Sequence, residues 1–270
     1  MFVNADMNRI SSDDVTREIV ERAKCFGADL AGIADIELLK RSPSHQILNS
    51  IGMQIGAVGA KEMTSDFQIQ WPHEAGSVLV IAIAHPQDSP EMDWWRGKGT
   101  FGNDTLIRIK HEISVWIEGE LGIKTRPLPY NLESGGIFIK DAGALAGMGC
   151  IGKNNMLVSR DYGPRVRLRA MLVDAALQPT GSVDFDPCRA CHEPCLVVCP
   201  QKAFASKVYS SAKLGFNELP GRSGRFDRYL CNLQMKKDID DAGSMVSGDR
   251  QRVVKYCRRC EFACPIGRLA

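Results

Sequence analysis

Eight cysteines in the last third of the sequence have the spacing of iron–sulfur ligands. The stretch CRACHEPCLVVCP, residues 188–200, follows the pattern C-x2-C-x3-C-x3-C-P, and a later set follows C-x25-C-x2-C-x3-C-P. A four-iron cluster needs four thiolates that converge, three from a tight loop and a fourth from a distant Cys-Pro. The eight residues are Cys188, Cys191, Cys195, Cys199, Cys231, Cys257, Cys260 and Cys264.

The pairing of these cysteines follows from the rule of two-cluster ferredoxins, in which the Cys-Pro cysteine of each motif binds the other motif's cluster. Applied here, the rule gives a first set of Cys188, Cys191, Cys195 and Cys264. The second set is Cys199, Cys231, Cys257 and Cys260. We therefore predict two [4Fe–4S] clusters. The first motif has three residues where ferredoxins usually have two (192–194), which predicts a wider loop and a distorted or partly exposed first cluster.

Zinc and disulfides are the alternatives for so many cysteines. The C-x2-C pairs at 188/191 and 257/260 are separated by about 65 residues, against roughly 12–20 in common zinc modules. Zinc would also leave four cysteines unused. The start of the sequence lacks a basic-then-apolar secretion signal, which favours a reducing, cytoplasmic location over disulfides. No apolar run reaches the ~18–20 residues that a membrane span needs.

The elements ahead of the cysteines alternate between helix and strand. Apolar spacing predicts helices over 13–26 and 104–121, and a strand over 28–36. SVLVIAIA, residues 77–84, predicts a buried central strand, and residues 156–163 and 166–174 predict two strands around a turn. We therefore expect a mixed α/β (α+β) domain at 1–184 and a small cysteine-rich domain at 185–270.

Charge divides along the same line. Residues 201–270 carry 14 Lys/Arg and 7 Asp/Glu, a net charge of +7, whereas residues 1–200 carry 20 and 25, a net charge of −5. A basic segment neutralises the negative charge of thiolate-bound clusters. It would also suit the docking of an acidic electron donor or of RNA.

The stretch GMGCIGKNN, residues 147–155, matches the form G-x-G-x-x-G of dinucleotide-binding loops. That reading needs a strand before the glycines and a helix after them. Here the preceding residues favour helix and the following ones favour strand and turn, so we reject it. The glycines instead predict that backbone approaches another chain segment or a flat cofactor closely.

The loop and the cysteines together resemble the epoxyqueuosine reductases, whose loop reads A-G-L-G-W-I-G-K-N and whose cysteines follow a similar plan. Reductive dehalogenases share that plan. The resemblance implies a nitroreductase-like, cobalamin-binding α/β domain followed by a ferredoxin-like module with two clusters. It places cofactor contacts in the glycine loop, at Gly147, Gly149, Cys150, Gly152, Lys153 and Asn154.

The same resemblance implies a proton donor near the cofactor. Counting back from the glycine loop, the family's catalytic aspartate corresponds to Glu133; Asp141 and Tyr162 are alternatives. The family's G-R-D-Y-H stretch is absent, and the D-x-A-P context of its acid reads NLESGG here. The sequence runs only six residues beyond Cys264, without the C-terminal helical repeats that the family uses on tRNA. The expectation is thus a short form of the family, whose sequence does not itself support tRNA binding.

Three functions remain open at this point. The first is a cobalamin-dependent reductase of a small molecule or modified nucleoside, supplied with electrons by a donor such as ferredoxin or flavodoxin. The second is an electron-transfer protein that reduces the corrinoid of a partner. The third is a flavin-dependent reductase, because nitroreductase-like domains also hold flavin.

Overall fold

The computed structural model describes residues 11–48, 68–244 and 252–267. Its strands are β1 (Leu30–Asp35), β2 (Ser77–Ala84), β3 (Thr125–Pro127), β4 (Cys150–Ile151), β5 (Leu157–Val158) and β6 (Val166–Val173). Its α-helices are α1 (Ser12–Cys25), α2 (Ile36–Lys40), α3 (Pro43–Gln46), α4 (Phe101–Glu120), α5 (Ile139–Leu145), α6 (Pro194–Val197), α7 (Ser211–Leu214), α8 (Arg228–Ser244) and α9 (Arg259–Ala263). Two short 3-10 turns lie at Pro90–Asp93 and Leu132–Ser134.

The centre of the fold is a four-stranded antiparallel sheet in the order β1-β2-β6-β3. The predicted central strand 77–84 is confirmed as β2, which is buried along its length except at Ala84. Alternate residues of a strand point to opposite faces. Val78 and Val80 therefore enter one apolar cluster, and Leu79 and Ile81 enter the other. A mixed α/β fold is confirmed.

Helices cover both faces of this sheet. On one face, α1 contributes Ile19 and α4 contributes Ile109 and Ile113, all fully buried with Leu79 and Ile81. On the other face, α2 and α5 pack against Val78 and Val80. The predicted helix 13–26 is confirmed with its end one residue earlier. The helix predicted at 104 begins at Phe101, because the Thr100 hydroxyl accepts from the Asn103 amide as an N-cap.

The prediction of two strands around a turn is only half correct. Residues 166–173 form β6, but only Leu157 and Val158 of the segment 156–163 are in a strand, and they pair with β4 instead of β6. The turn that follows is closed by mutual hydrogen bonds between Ser159 and Gly163. This short hairpin carries part of the glycine loop.

The described part of 185–267 contains α6 to α9 and only isolated β-bridges. One of those bridges, Trp95 with Val254, joins this segment to the α/β part. The division at 184/185 remains a prediction. Within the described ranges, every helix is too short or too polar to cross a membrane.

Candidate redox site

The structure brings the first predicted set of cysteines together. Burial raises the pKa of the Cys195 thiol to about 11, and the thiolates of Cys264, Cys188 and Cys191 add to that rise. Cys264 has the same neighbours, since burial and then Cys188 and Cys191 raise its pKa. Cys264 of the last motif thus lies near the cysteines of the first motif. That these four thiols bind one cluster stays a prediction.

The second set converges in the same way. Burial raises the pKa of Cys260, and so do the nearby thiolates of Cys231, Cys257 and Cys199. Burial also raises the pKa of Cys231, with Cys199 and Cys257 contributing. The sulfur of Cys199 accepts a hydrogen bond from the Ala203 amide at 3.3 Å. All of these cysteines are free thiols, so none is committed to a disulfide.

A single metal ion is the alternative occupant for either cysteine set. Among residues 11–48, 68–244 and 252–267, no three His, Cys, Asp or Glu side chains lie close enough to bind one ion. A tetrahedral zinc site with Zn–S bonds of ~2.3 Å holds its sulfurs within about 4 Å of one another. A four-iron cluster binds each thiolate to a different iron, which sets the sulfurs farther apart. The choice of clusters over zinc stays a prediction from the spacing of the cysteines in the sequence.

The three-residue spacer of the first motif has a backbone feature of its own. Glu193 has a φ of 59°, in the left-handed region, and it precedes α6, which begins at Pro194. The Glu193 carboxylate pairs with Lys153 of the glycine loop at 2.8 Å. The extra residue thus connects the first cysteine loop to the α/β part.

The glycine loop lies against both cysteine segments. Besides the ion pair of Lys153, the Asn154 side-chain amide donates to the Cys260 carbonyl at 3.5 Å. Arg222 donates to the Ile151 carbonyl at 3.5 Å. Cys150 is half-buried, and burial followed by the neighbouring Cys188 raises its pKa to about 11. The loop is therefore the contact between the α/β part and the two cysteine sets.

The glycines of this loop are required by the chain itself. A Cβ on Gly147 would lie 2.4 Å from the Gly181 carbonyl oxygen, and one on Gly149 would lie 2.2 Å from that of Val158. A Cβ on Gly152 would lie 2.6 Å from Val158 Cγ2. The predicted close approach is real, and its partner is another chain segment. The polar groups of Lys153 and Asn154 are likewise engaged by protein, so these residues do not fit a corrin cradle in this arrangement; their contacts to cobalamin stay a prediction.

The three candidate proton donors have different surroundings. Glu133 lies in the 3-10 turn Leu132–Ser134, and its Oε1 is buried with no hydrogen-bond partner among the described residues. Asp141, buried in α5, accepts from the Ser42 hydroxyl at 2.8 Å and the Ser44 amide at 3.3 Å. Burial, together with nearby Asp29, raises the pKa of Tyr162. Only Glu133 keeps a buried acceptor oxygen unused.

A polar array that sequence reasoning missed surrounds Asp141. The Phe138 amide donates to His45 Nε2 at 3.3 Å, and His45 Nδ1 lies 2.8 Å from the Ser42 hydroxyl. This places the ring proton on Nδ1, where it donates to Ser42, which in turn donates to Asp141. Burial lowers the pKa of His45 to about 4, against the opposing pull of Asp141. No local motif marks this array, because about 97 residues separate its two halves.

Lys140, next to Asp141 on α5, was also missed. Its ammonium donates to the Asn155 carbonyl at 2.5 Å. Burial lowers its pKa to about 8, while Asp141 and the thiolates of Cys231 and Cys260 favour its charged form. A half-buried cation thus lies beside the second cysteine set.

A buried network of charges joins β6 to α9, the helix that carries Cys260. Asp93 pairs with Arg167 at 2.9 Å and with Arg258 at 2.5 Å. Glu261 pairs with the same two arginines at 2.9 Å and 2.7 Å. Arg258 also donates to the His85 carbonyl at 2.7 Å. The last cysteine motif is therefore held against the sheet by charge as well as by the Trp95–Val254 bridge.

Known proteins similar in sequence to this chain include epoxyqueuosine reductases. No family model matches the chain. It is 25% identical over 206 residues to the epoxyqueuosine reductase of Lactococcus garvieae, covering 71% of this chain and 52% of that protein. It is 23% identical over 268 residues to that of Bacillus subtilis, covering 93% of this chain and 63% of that protein. The chain thus spans about half to two thirds of the length of these relatives.

Solved structures agree on the fold. A complex of epoxyqueuosine reductase with an epoxyqueuosine-modified tRNA-Tyr stem loop matches with a TM-score of 0.62 at 19% identity, over 95% of this chain and 66% of that chain. A reductive dehalogenase whose structure suggests B12-dependent dehalogenation matches with a TM-score of 0.61 at 17% identity, over 97% and 33%. The chain is therefore similar in sequence to epoxyqueuosine reductases, and it shares the fold of both groups.

Proposed function

We propose that this chain is an iron–sulfur oxidoreductase that passes single electrons through two [4Fe–4S] clusters to a reaction centre in its α/β part. The observation that carries the proposal is the convergence of eight thiols in two sets of four that exchange their Cys-Pro members, Cys199 and Cys264. An exchange of this kind is the ligand plan of two-cluster ferredoxins. Similarity to enzymes named as reductases supports the same class of reaction.

Positive charge next to each set supports cluster binding. Arg165 lies close enough to Cys264 to lower that thiol's pKa, against the larger effect of burial. Lys140 does the same for Cys231 in the second set, where burial is again the larger effect. A cluster with four thiolates carries net negative charge, so nearby cations lower the cost of holding it in a partly buried site.

The acceptor of the electrons is the finer part of the proposal. Cobalamin is favoured by the fold shared with the dehalogenase described as B12-dependent. We assign no chemical step to it, because the side chains of the glycine loop already contact protein. Glu133 is the proposed proton donor to substrate, since its buried Oε1 has no other described partner. A group in that position can deliver a proton without first breaking a hydrogen bond.

The proposed substrate class is a small molecule or a modified nucleoside, as the names of the relatives suggest. A tRNA stem loop is bound by one solved reductase, and tRNA is a proposed partner here only on that similarity. Two other functions remain as alternatives: an electron-transfer protein that reduces a partner's corrinoid, and a flavin-dependent reductase. Both share the two clusters and differ in what the α/β part binds.

One anaerobic experiment tests the proposal in two steps. Reconstituted protein is first analysed for iron, acid-labile sulfide and zinc, and we expect about eight irons and eight sulfides per chain. A Cys25→Ser variant is the control, because Cys25 is exposed and lies outside both sets. Saturation at four irons, or one zinc per chain, would contradict the two-cluster plan.

The second step is a titration of the loaded protein with cobalamin and, separately, with flavin, followed by absorption spectroscopy. Saturable uptake of cobalamin supports the reductase proposal. Uptake of flavin alone would move the chain to the flavin-dependent class. No uptake of either would favour the electron-transfer alternative.

A further inference from the structure

Two neighbouring valines are left in water beside the ligand cysteines. Val197 is 79% exposed and Val198 is 38% exposed, and we call the pair the valine patch. It lies between Cys195 of the first set and Cys199 of the second set. Full burial of one valine side chain stabilises a fold by about 1.5 kcal/mol or more, and neither valine contributes that full amount here. Folding of the chain therefore does not explain the patch.

The backbone of this segment fixes which side chains point inward. The Val198 amide donates to the Pro194 carbonyl at 3.2 Å, and the Cys199 amide donates to that of Leu196 at 3.5 Å. This single helical turn buries Cys195 and turns the valines to the outside. The patch therefore covers the short stretch of chain that connects the two cysteine sets.

The charged residues that flank the patch in sequence, which we call its rim, are mostly positive. Lys202 and Lys207 are exposed, and the Arg189 side chain is 85% exposed, with only a 3.7 Å contact to Asp186. Between residues 188 and 207 the sequence has one acidic residue, Glu193, which is paired with Lys153. An apolar centre with a charged rim is the usual anatomy of a protein-binding surface. Nucleic acid would need the positive charge but not the exposed valines.

We propose that the valine patch is the docking site for an acidic one-electron carrier protein of the ferredoxin or flavodoxin class. The proposal rests on the two-cluster function given above. In the transfer, the reduced carrier loses one electron and a cluster of this chain gains it, with no bond made or broken. Electron transfer slows steeply with distance, and a carrier seated on the patch lies beside ligands of both clusters. Opposite charge on the two surfaces raises the rate of encounter.

Stopped-flow reduction of the loaded protein tests this proposal. The probe is a reduced acidic [2Fe–2S] ferredoxin, and dithionite, which needs no docking surface, is the comparison reductant. Val197→Asp places a negative charge at the centre of the patch. Val115→Asp is the matched control, because Val115 on α4 is 57% exposed and lies far from the cysteines in sequence.

We expect Val197→Asp to slow reduction by ferredoxin about tenfold or more, with the dithionite rate and the iron content unchanged. Val115→Asp should match the wild type in both reactions, and rising salt should slow the ferredoxin reaction of the wild type. If Val197→Asp loses its iron, Lys202→Gln gives the same test through the rim, with Lys124→Gln as its exposed control.

Three results would overturn the proposal. One is equal ferredoxin rates in Val197→Asp and Val115→Asp. Another is a wild-type rate that does not fall with salt. The third is a Val197→Asp protein that keeps its ferredoxin rate but loses affinity for a tRNA stem loop, which would make the patch an RNA surface. A failure of the two-cluster function is recognised separately, because the wild type would then lack the iron that dithionite reduces.

Discussion

Arg258→Met is expected to loosen the last cysteine motif from the sheet. Arg258 is 8% exposed and contacts Asp93, Glu261 and the His85 carbonyl at 2.5, 2.7 and 2.7 Å. Methionine fills a similar space but supplies no charge and no donor. Asp93 would then keep Arg167 and His85 Nδ1, at 2.9 and 2.8 Å, whereas Glu261 would keep Arg167 at 2.9 Å.

The size of the effect follows from burial. Removal of one partner from a buried ion pair costs about 3–5 kcal/mol, whereas an exposed pair is worth less than about 1 kcal/mol. For a chain of this size, 1 kcal/mol corresponds to about 2–4 °C in melting temperature. We therefore expect a fall of about 10 °C for Arg258→Met. Arg17→Met is the control, since Arg17 pairs with Asp14 on the exposed face of α1.

The assay is thermal unfolding of the cluster-loaded protein at a fixed scan rate, because loss of iron makes unfolding irreversible. Hydrogen exchange supplies a local reading, with faster exchange expected in residues 252–267 than in β2. A double variant, Arg258→Met with Glu261→Gln, should recover part of the loss, because Asp93 alone would then need the charge of Arg167. A melting temperature within about 2 °C of the wild type would show that the network does not hold the motif.

Three further predictions test the site. Cys264→Ala should disturb the first cluster and spare the second in electron paramagnetic resonance spectra, and Cys260→Ala should do the reverse. Loss of the second cluster in both variants would refute the exchange of ligands. Gly149→Val should lower both melting temperature and iron content, because its Cβ meets the Val158 carbonyl oxygen at 2.2 Å, while Gly119→Val, with open space, should not. The pKa of His45 is about 4 in the fold, against an ordinary value of 6.5, so the unfolded chain takes the proton first as the pH falls. Its contribution, about 3 kcal/mol, is present above pH 6.5 and is lost toward pH 4; thermal unfolding should show a flatter pH dependence in His45→Gln.

The sequence alone was enough to locate an element where a local pattern of residues determines its structure. Strand β2 is eight apolar or small residues in a row, and α1 begins at a Ser11–Asp14 capping box, so both could be located without the fold. The cysteine sets could be proposed from the sequence because the geometry of a cluster constrains ligand spacing directly, and their role as ligands stays a prediction. These features depend on neighbours in the chain or on an inorganic template.

Pairings across the fold could not be predicted in this way. Arg167 pairs with Glu261, which is 94 residues away in the sequence, and neither local sequence indicates which residue the other partner is. The short strand β5 was misjudged because an apolar pair such as Leu157–Val158 does not specify which strand it joins. Its choice of β4 is fixed by the tight packing of Gly149 against Val158, which is a tertiary contact.

The glycine loop shows why a motif should be read together with what it touches. Its glycines are packed against other segments of the chain. Its polar side chains, Lys153 and Asn154, each contact a different cysteine motif. At the end of the loop, the Asn155 carbonyl accepts from Lys140, whose charge lies beside the second set and beside Asp141. A change of charge at either cysteine set therefore alters the electrostatic energy of residues in the loop and in α5, which lie only one or two contacts away. Electrons taken up at the outer side of the cysteine sets would reach the α/β part here, where buried contacts can respond to them.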